Sequence, residues 1–358
     1  MKILKYGLGT LGGLILVIGL FVLWVSWRAG ALVSYEPHFA GTCAPVTGPA
    51  SAEDFVIDRD TGLVYLSAVF RVGAESESAS ERGTIAIYDL SSGVLSFDAA
   101  PLGQLEDFRP HGVSLYKDET GKKRLFVINH LHDDGETIEI FDLDETGDPV
   151  HAETIVGEFL TAPNNLVAVG PRQFYVANDS RSESQFVQQM DRIFSLSRFP
   201  LAYYDGQTMR AVVPNGPSGG GISASADRAQ VYLAATSKRA IQIYDRDLDT
   251  GALTFRSSVH VGIGVDNLDV AADGSVWTAG HPNFFALAGH FMSGYENPSP
   301  SQVFRVPITN GDAGAPEDVY LDSGETYSAS SVAAVYKDKM LIGSITETKI
   351  MSCDLPTS

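Results

Sequence analysis

The chain has 358 residues, enough for two or three ordinary domains or for one large all-β body. Its 25 Lys and Arg against 44 Asp and Glu give a formal net charge of −19, which excludes a nucleic-acid-binding face and suits a body that attracts cations. Two cysteines exclude a disulfide-dense scaffold and an all-cysteine zinc site, while 44% hydrophobic residues supply ample core.

Residues 1–5 carry Lys2 and Lys5, and 6–27 then run without a charge through Leu, Ile, Val, Gly, Phe and Trp. A run of that length spans a bilayer and exceeds the apolar core of an ordinary signal peptide. It predicts a transmembrane helix used as an uncleaved signal anchor, with 1–5 cytoplasmic and 28–42 a linker. The body, 43–355, then lies outside the cytoplasm, in a periplasmic or extracellular space, and the lipid membrane is its first partner. Cleavage after Ala31 is the alternative. Gly7-Leu8-Gly9-Thr10-Leu11-Gly12 matches a dinucleotide-binding pattern, but no strand precedes it and it lies within the apolar run. Cys43 and Cys353 stand at the two ends of the exported body, where a disulfide would tie its first element to its last; two unpaired buried thiols are the other reading.

From residue 55 onward, β-branched and aromatic runs recur in pairs. LVYLSAVF (63–70) goes with TIAIYDL (84–90), RLFVINH (124–130) with TIEIFDL (137–143), and QFYVAND (173–179) with LAYYDG (201–206). VYLAAT (231–236) goes with AIQIYDRD (240–247), VWTAGH (276–281) with QVFRVPI (302–308), and MLIGSI (340–345) with KIMSCDL (349–355). The pairs repeat roughly every 55 residues, each after a shorter apolar run, which predicts an all-β fold: a six-bladed β-propeller. Asp245, Asp247 and Asp249 imitate the start of an EF-hand loop, yet Gly251 falls one place late, so the segment reads as a hairpin turn.

Just before each inner strand the repeats place Glu53-Asp54, Pro110-His111-Gly112, Asn164-Asn165, Gly220-Gly221, Asp266-Asn267 and Ser330-Ser331. In a radial array these positions converge on the axis. The ends of the middle strands, with Asn129-His130, Asp179 and His281, fall on the same face. Glu53, Asn164, Asp266 and Asn267 offer oxygen and no sulfur, a set that suits Ca2+ better than Zn2+. A polar channel that only holds water is the alternative.

FRPHGVSLY (108–116), VINH (127–130), NNLVAVGP (164–171), VDNLDVAADG (265–274), WTAGHPN (277–283) and VAAVYKDKMLIG (332–343) resemble the serum paraoxonase/arylesterase family over about residues 43–355. The resemblance implies a six-bladed propeller that hydrolyses lactones and aryl esters with two calcium ions in its tunnel. It implies Glu53, Asn164, Asp266 and Asn267 as ligands of a catalytic calcium. Asp54, the Val113 carbonyl and Asn165 match a second, structural one. His111 and His130 match a catalytic histidine dyad, Asn129, Asp179 and His281 match residues near the mouth, and Cys43–Cys353 a disulfide. Two positions depart from the pattern. Gly220 stands where the family has an Asn ligand, and Asn165 stands where it has an Asp, which removes one negative charge.

The mechanism implied has calcium polarising the substrate carbonyl while His111, aided by His130, takes a proton from water. Activation of the water by Asp266 or Glu53 is the alternative. No Gly-x-Ser-x-Gly elbow occurs, which disfavours a serine hydrolase. A non-catalytic propeller with a depleted metal site, and a gluconolactonase-like enzyme, are the competing functions. Residues 183–199 and 283–294 carry apolar side chains suited to a lid or to packing. Oligomeric state and natural substrate stay open at this level.

Overall fold

The computed structural model describes residues 2–48, 51–69, 82–97, 105, 107–131, 135–179, 194, 196 and 198–356, and in the N-terminal helix the side chains from residue 12 onward. Most of the expected segment 183–199 therefore lies outside the described residues.

Among the described residues, six four-stranded antiparallel sheets form the blades. Blade 1 comprises Phe55–Asp58, Leu63–Ala68, Thr84–Asp89 and Val94–Ser96; blade 2, Pro110–Lys117, Lys123–His130, Glu136–Leu143 and Pro149–Ile155. Blade 3 comprises Pro163–Ala168, Phe174–Asn178, Phe199–Tyr204 and Met209–Gly216; blade 4, Gly219–Ala224, Gln230–Ala235, Ala240–Arg246 and Leu253–His260. Blade 5 comprises Gly264–Val270, Val276–His281, Ser301–Val306 and Glu317–Asp322. Blade 6 takes Ser330–Tyr336, Lys339–Ser344 and Lys349–Asp354 from the C-terminal end and its outer strand, Thr42–Thr47, from the other end of the body. Each inner strand packs on the next, and the sixth packs on the first, so the ring closes.

The local sequence explains the layering. Middle strands such as Phe174–Asn178 are buried throughout because a neighbouring blade covers each face, and they read as continuous apolar runs. Outer strands such as Leu253–His260 alternate, with one face in solvent. The core lies between blades: Phe126, Ile128 and Ile138 of blade 2 pack against Leu166, Phe174 and Val176 of blade 3. Closure is covalent as well. Cys43 and Cys353 are directly opposite in register on the outer and third strands of blade 6 and form a disulfide. The six-bladed propeller and this pairing are as the sequence predicts.

The N-terminal run forms helix α1, Lys2–Arg28, with exposed apolar side chains from Leu14 to Leu23. Among the described residues, no helix is long and apolar enough to cross a membrane. The end of α1 docks on blades 4 and 5. Arg239 donates to the carbonyls of Arg28 at 2.8 Å and Pro282 at 2.7 Å, and the Phe284 amide donates to Ala29 O at 2.9 Å. Gly30 sits at φ 79°, where a Cβ would stand 1.9 Å from Pro282 O, so only glycine fits this junction. After blade 5's middle strand, the segment expected as a lid or packing wall forms helix α2, Phe284–Met292. Asn283 caps it by accepting from the amides of Phe285 and Ala286.

Candidate active site

The inner strands differ from the expectation in one instructive way. Their site residues lie inside the strands rather than before them, except Glu53 and Asp54. In blades 2 to 6 the inner strand carries one extra residue against its partner, between Pro110 and Val113, Pro163 and Asn165, Gly219 and Ile222, Val265 and Leu268, and Ser330 and Val332. A β-bulge bends the strand and re-aims a side chain. Here it recurs at the same address around the ring and turns polar groups toward the axis.

The groups meet there. Asn267 of blade 5 donates from Nδ2 to the Glu53 carbonyl and to Glu53 Oε1, both at 3.0 Å. Ser331 of blade 6 donates to the same carbonyl at 2.6 Å. Asn165 of blade 3 donates from Nδ2 to Asn267 Oδ1 at 2.6 Å and accepts the Leu166 amide on its own Oδ1. An aspartate at 165 could not donate, so the charge-reducing departure supplies the bond between blades 3 and 5. Asp54 Oδ2 accepts the Val113 amide at 2.8 Å, and Asp266 Oδ2 lies 3.2 Å from His281 Nε2.

The histidines form a line. His111 Nε2 lies 3.0 Å from Glu53 Oε2, and His111 Nδ1 lies 2.5 Å from His130 Nε2. His130 Nδ1 is in turn bonded to the Glu136 carboxylate. Glu136 had not been singled out from sequence. The only signal is the hairpin register, which sets His130 directly opposite Glu136.

Asn129, expected near the mouth, braces the loop that delivers His111. Its Oδ1 accepts the Arg109 amide at 2.8 Å and its Nδ2 donates to Asp107 O at 3.0 Å. Asn178 does the same one blade on, accepting from the amides of Thr161 and Ala162. Asp179 is held through its backbone by Ala162 and Ser218, and its charge acts on Asp266. His281 is buried beside Asp266.

Electrostatics and packing test the site for a cation. Burial first, then the charge of Glu53, hold the Asp54 carboxyl well above its usual range, against the pull of the Val113 and Phe55 amides. Burial raises Asp266, the His281 bond partly offsets it, and Glu53 adds to the rise. Three buried carboxyls that disfavour one another's charge call for positive charge among them. Among the described residues, no three His, Cys, Asp or Glu side chains stand as a ready metal cluster, since amides and hydroxyls make up the rest of the set. Two of those oxygens are buried without a hydrogen-bond partner, Asn164 Oδ1 and Thr236 Oγ1. Thr236, also missed from sequence, adjoins Gly220: a Cβ there would meet Thr236 Oγ1 at 2.7 Å and Asp266 Oδ1 at 2.9 Å. Unpartnered oxygens beside clustered carboxyls fit a hard divalent cation.

Known proteins agree with this architecture. Serum paraoxonase/arylesterase 1 of Rattus norvegicus is 30% identical over 336 residues, covering 92% of this chain and 93% of its own. The Homo sapiens protein of the same name is 29% identical over 335 residues, with 92% and 93% covered. Among solved structures, a gluconolactonase of Xanthomonas campestris shares the fold at TM-score 0.51 and 12% identity, covering 91% of this chain and 99% of that one. The calcium-binding regucalcin of Agrobacterium tumefaciens shares it at 0.51 and 14%, covering 91% and 98%. The Arylesterase family model matches residues 61–355, nearly the whole propeller, and the chain accordingly belongs to the arylesterase family of ester-hydrolysing enzymes.

Proposed function

We propose that this protein is a calcium-dependent hydrolase of lactones and aryl esters. The observation that carries the reading is His111, bound on one side to His130 and set on the other beside Glu53 at the hub. Glu53, Asn164 and Asp266 would hold the ion, with the Thr236 hydroxyl supplying an oxygen at the address where Gly220 has no side chain. Calcium bound there supplies polarisation of the substrate carbonyl and stabilisation of the developing oxyanion.

The chain's own residues do the rest. His111 Nε2 accepts a proton from water while its Nδ1 proton moves toward His130 Nε2, and the reverse movement protonates the leaving oxygen. Asp54 is bonded to the Val113 amide, and Asn165 to Asn267. A second calcium there would use Asp54 and the Val113 carbonyl, at a site one charge poorer for having Asn165. The relatives, which include a serum paraoxonase/lactonase, support the substrate class.

Location belongs to the same proposal. The exposed apolar side chains of α1 from Leu14 to Leu23, after Lys2 and Lys5, support a membrane anchor with the propeller outside the cytoplasm. Partition with membranes after alkaline washing tests it; release into the supernatant overturns it.

The test of activity uses the full chain in mild detergent with aliphatic lactones and phenyl acetate, in calcium and in EDTA. Turnover in calcium that EDTA abolishes is the expected result. Turnover that is absent, or indifferent to the chelator, overturns it. One competing reading keeps support from Asn165 and Gly220: a propeller that binds small molecules without hydrolysing them. Lactone binding by calorimetry without turnover would favour it.

A further inference from the structure

The dyad does not end at His130. We propose that Glu136 is a positioning residue of the active site, which sets the tautomer of His130. The inference rests on the hydrolase reading for its catalytic part and on geometry alone for its structural part.

A neutral imidazole carries one proton, on Nδ1 or on Nε2. A carboxylate is an acceptor, so Glu136 requires the proton of His130 to be on Nδ1. His130 Nε2 then offers a lone pair and must accept, so the 2.5 Å contact takes the Nδ1 proton of His111. His111 Nε2, on the side that faces the hub, meets Glu53 Oε2 at 3.0 Å, a second acceptor that competes for the proton of His111. Remove Glu136 and nothing holds the His130 proton on Nδ1: it can move to Nε2, and His111 then keeps its proton on Nε2, toward Glu53, and loses its function as a base. The charge of Glu136 further stabilises the imidazolium formed when the pair takes a proton. Among the described residues, Arg109 reaches the backbone carbonyl of His130, at 3.4 Å, rather than its ring.

The line is most buried at its hub end. The side chain of Glu53 is 3% exposed, that of His111 15%, that of His130 32% and that of Glu136 23%. Glu136 also lines a cleft of about 410 Å³ with Leu131, Thr137, Val156 and Leu160, at the rim of blade 2. Glu136 opens the third strand of blade 2 and is fixed by the hairpin register, so the contact is built into the sheet rather than left to a loop.

The experiment compares the full chain with Glu136→Gln and Glu136→Ala, using histidine-selective nitrogen-15 spectra and lactone kinetics. In the unsubstituted protein, His130 is expected to be protonated on Nδ1, with that proton far downfield. Glu136→Gln keeps an acceptor without the charge, so the tautomer persists and kcat falls several-fold. In Glu136→Ala the downfield proton is lost, the tautomers mix and kcat falls about tenfold or more with KM within about twofold. An unchanged His130 spectrum in Glu136→Ala overturns the proposal, as does a fall in kcat that merely tracks a lowered Tm in both variants. If the unsubstituted protein hydrolyses no lactone, the hydrolase reading fails by itself, and the spectra still decide the Glu136–His130 contact.

Discussion

The hydroxyl of Thr236 stands 2.7 Å from the point where a Cβ on Gly220 would be, with Asp266 Oδ1 2.9 Å from the same point. The space is taken by the hydroxyl of the short 3-10 turn, Thr236–Lys238, that follows blade 4's second strand, so the missing side chain of Gly220 leaves room for it. Restoring an amide with Gly220→Asn alone is therefore expected to collide, lowering stability by about 1–3 kcal/mol, and to weaken calcium binding rather than improve it. Thr236→Val should cut calcium affinity by about tenfold with little loss of stability, and Gly220→Asn with Thr236→Ala should recover part of it. Calorimetric titration with calcium reads all three; unaltered affinity in Thr236→Val removes the hydroxyl from the site.

Ring closure depends on a short strand brought from the far end of the body. Thr42–Thr47 is held by its ladder to Lys349–Asp354 and by the Cys43–Cys353 bond. Replacing both cysteines with serine is expected to cost about 2–5 kcal/mol, because the bond closes a loop that contains nearly the whole propeller. Denaturant melts with and without reductant check this. Reductant should shift the midpoint of the unsubstituted protein and leave the double variant unmoved.

Asp54 and Asp266 link stability to pH. Their carboxyls are raised in the fold, mainly by burial and with help from Glu53. A raised acid binds more protons folded than unfolded, so its stability term is fully present below the unfolded value, about 3.9, and is lost as pH rises through the folded value. A cation shared by these groups reverses that loss. The Tm gained on adding calcium to chelated protein should therefore grow as pH rises from about 4 toward neutrality. A calcium effect of the same size at every pH would contradict a cation held by these carboxyls.

Asn129 and Asn178 perform the same bracing in adjacent blades, but only the loop held by Asn129 leads to His111. Substituting either with alanine strands buried backbone groups and should destabilise by about 1–3 kcal/mol. Only Asn129→Ala should also lower lactone turnover more than its stability loss explains. Equal turnover in the two variants would show that the loop position does not govern the histidines.

Much of the fold was legible in the chain because a propeller repeats one local pattern. The middle strands are covered on both faces and read as mostly apolar runs, as in Phe174–Asn178. Those runs, spaced evenly, locate the blades, and the cysteines at the two ends locate the seam. The convergence of Glu53, His111, Asn165 and Asp266-Asn267 follows from their shared address in the repeat. Less was legible where a single extra residue mattered. The bulges carry the site residues into the inner strands, and an apolar pattern does not register a strand that gains one residue against its partner.

By itself, then, the amino-acid order determined the blade count, the covalent seam and the ring of polar positions, since each arises from local periodicity or from where a residue falls in a repeat. Only the tertiary structure decided that Asn267 bonds to Glu53 across the hub, that Thr236 fills the place Gly220 leaves open and that Glu136 closes on His130. Those pairings depend on ångström-scale offsets between elements, set by packing and strand register, and no spacing along the chain encodes them one residue at a time.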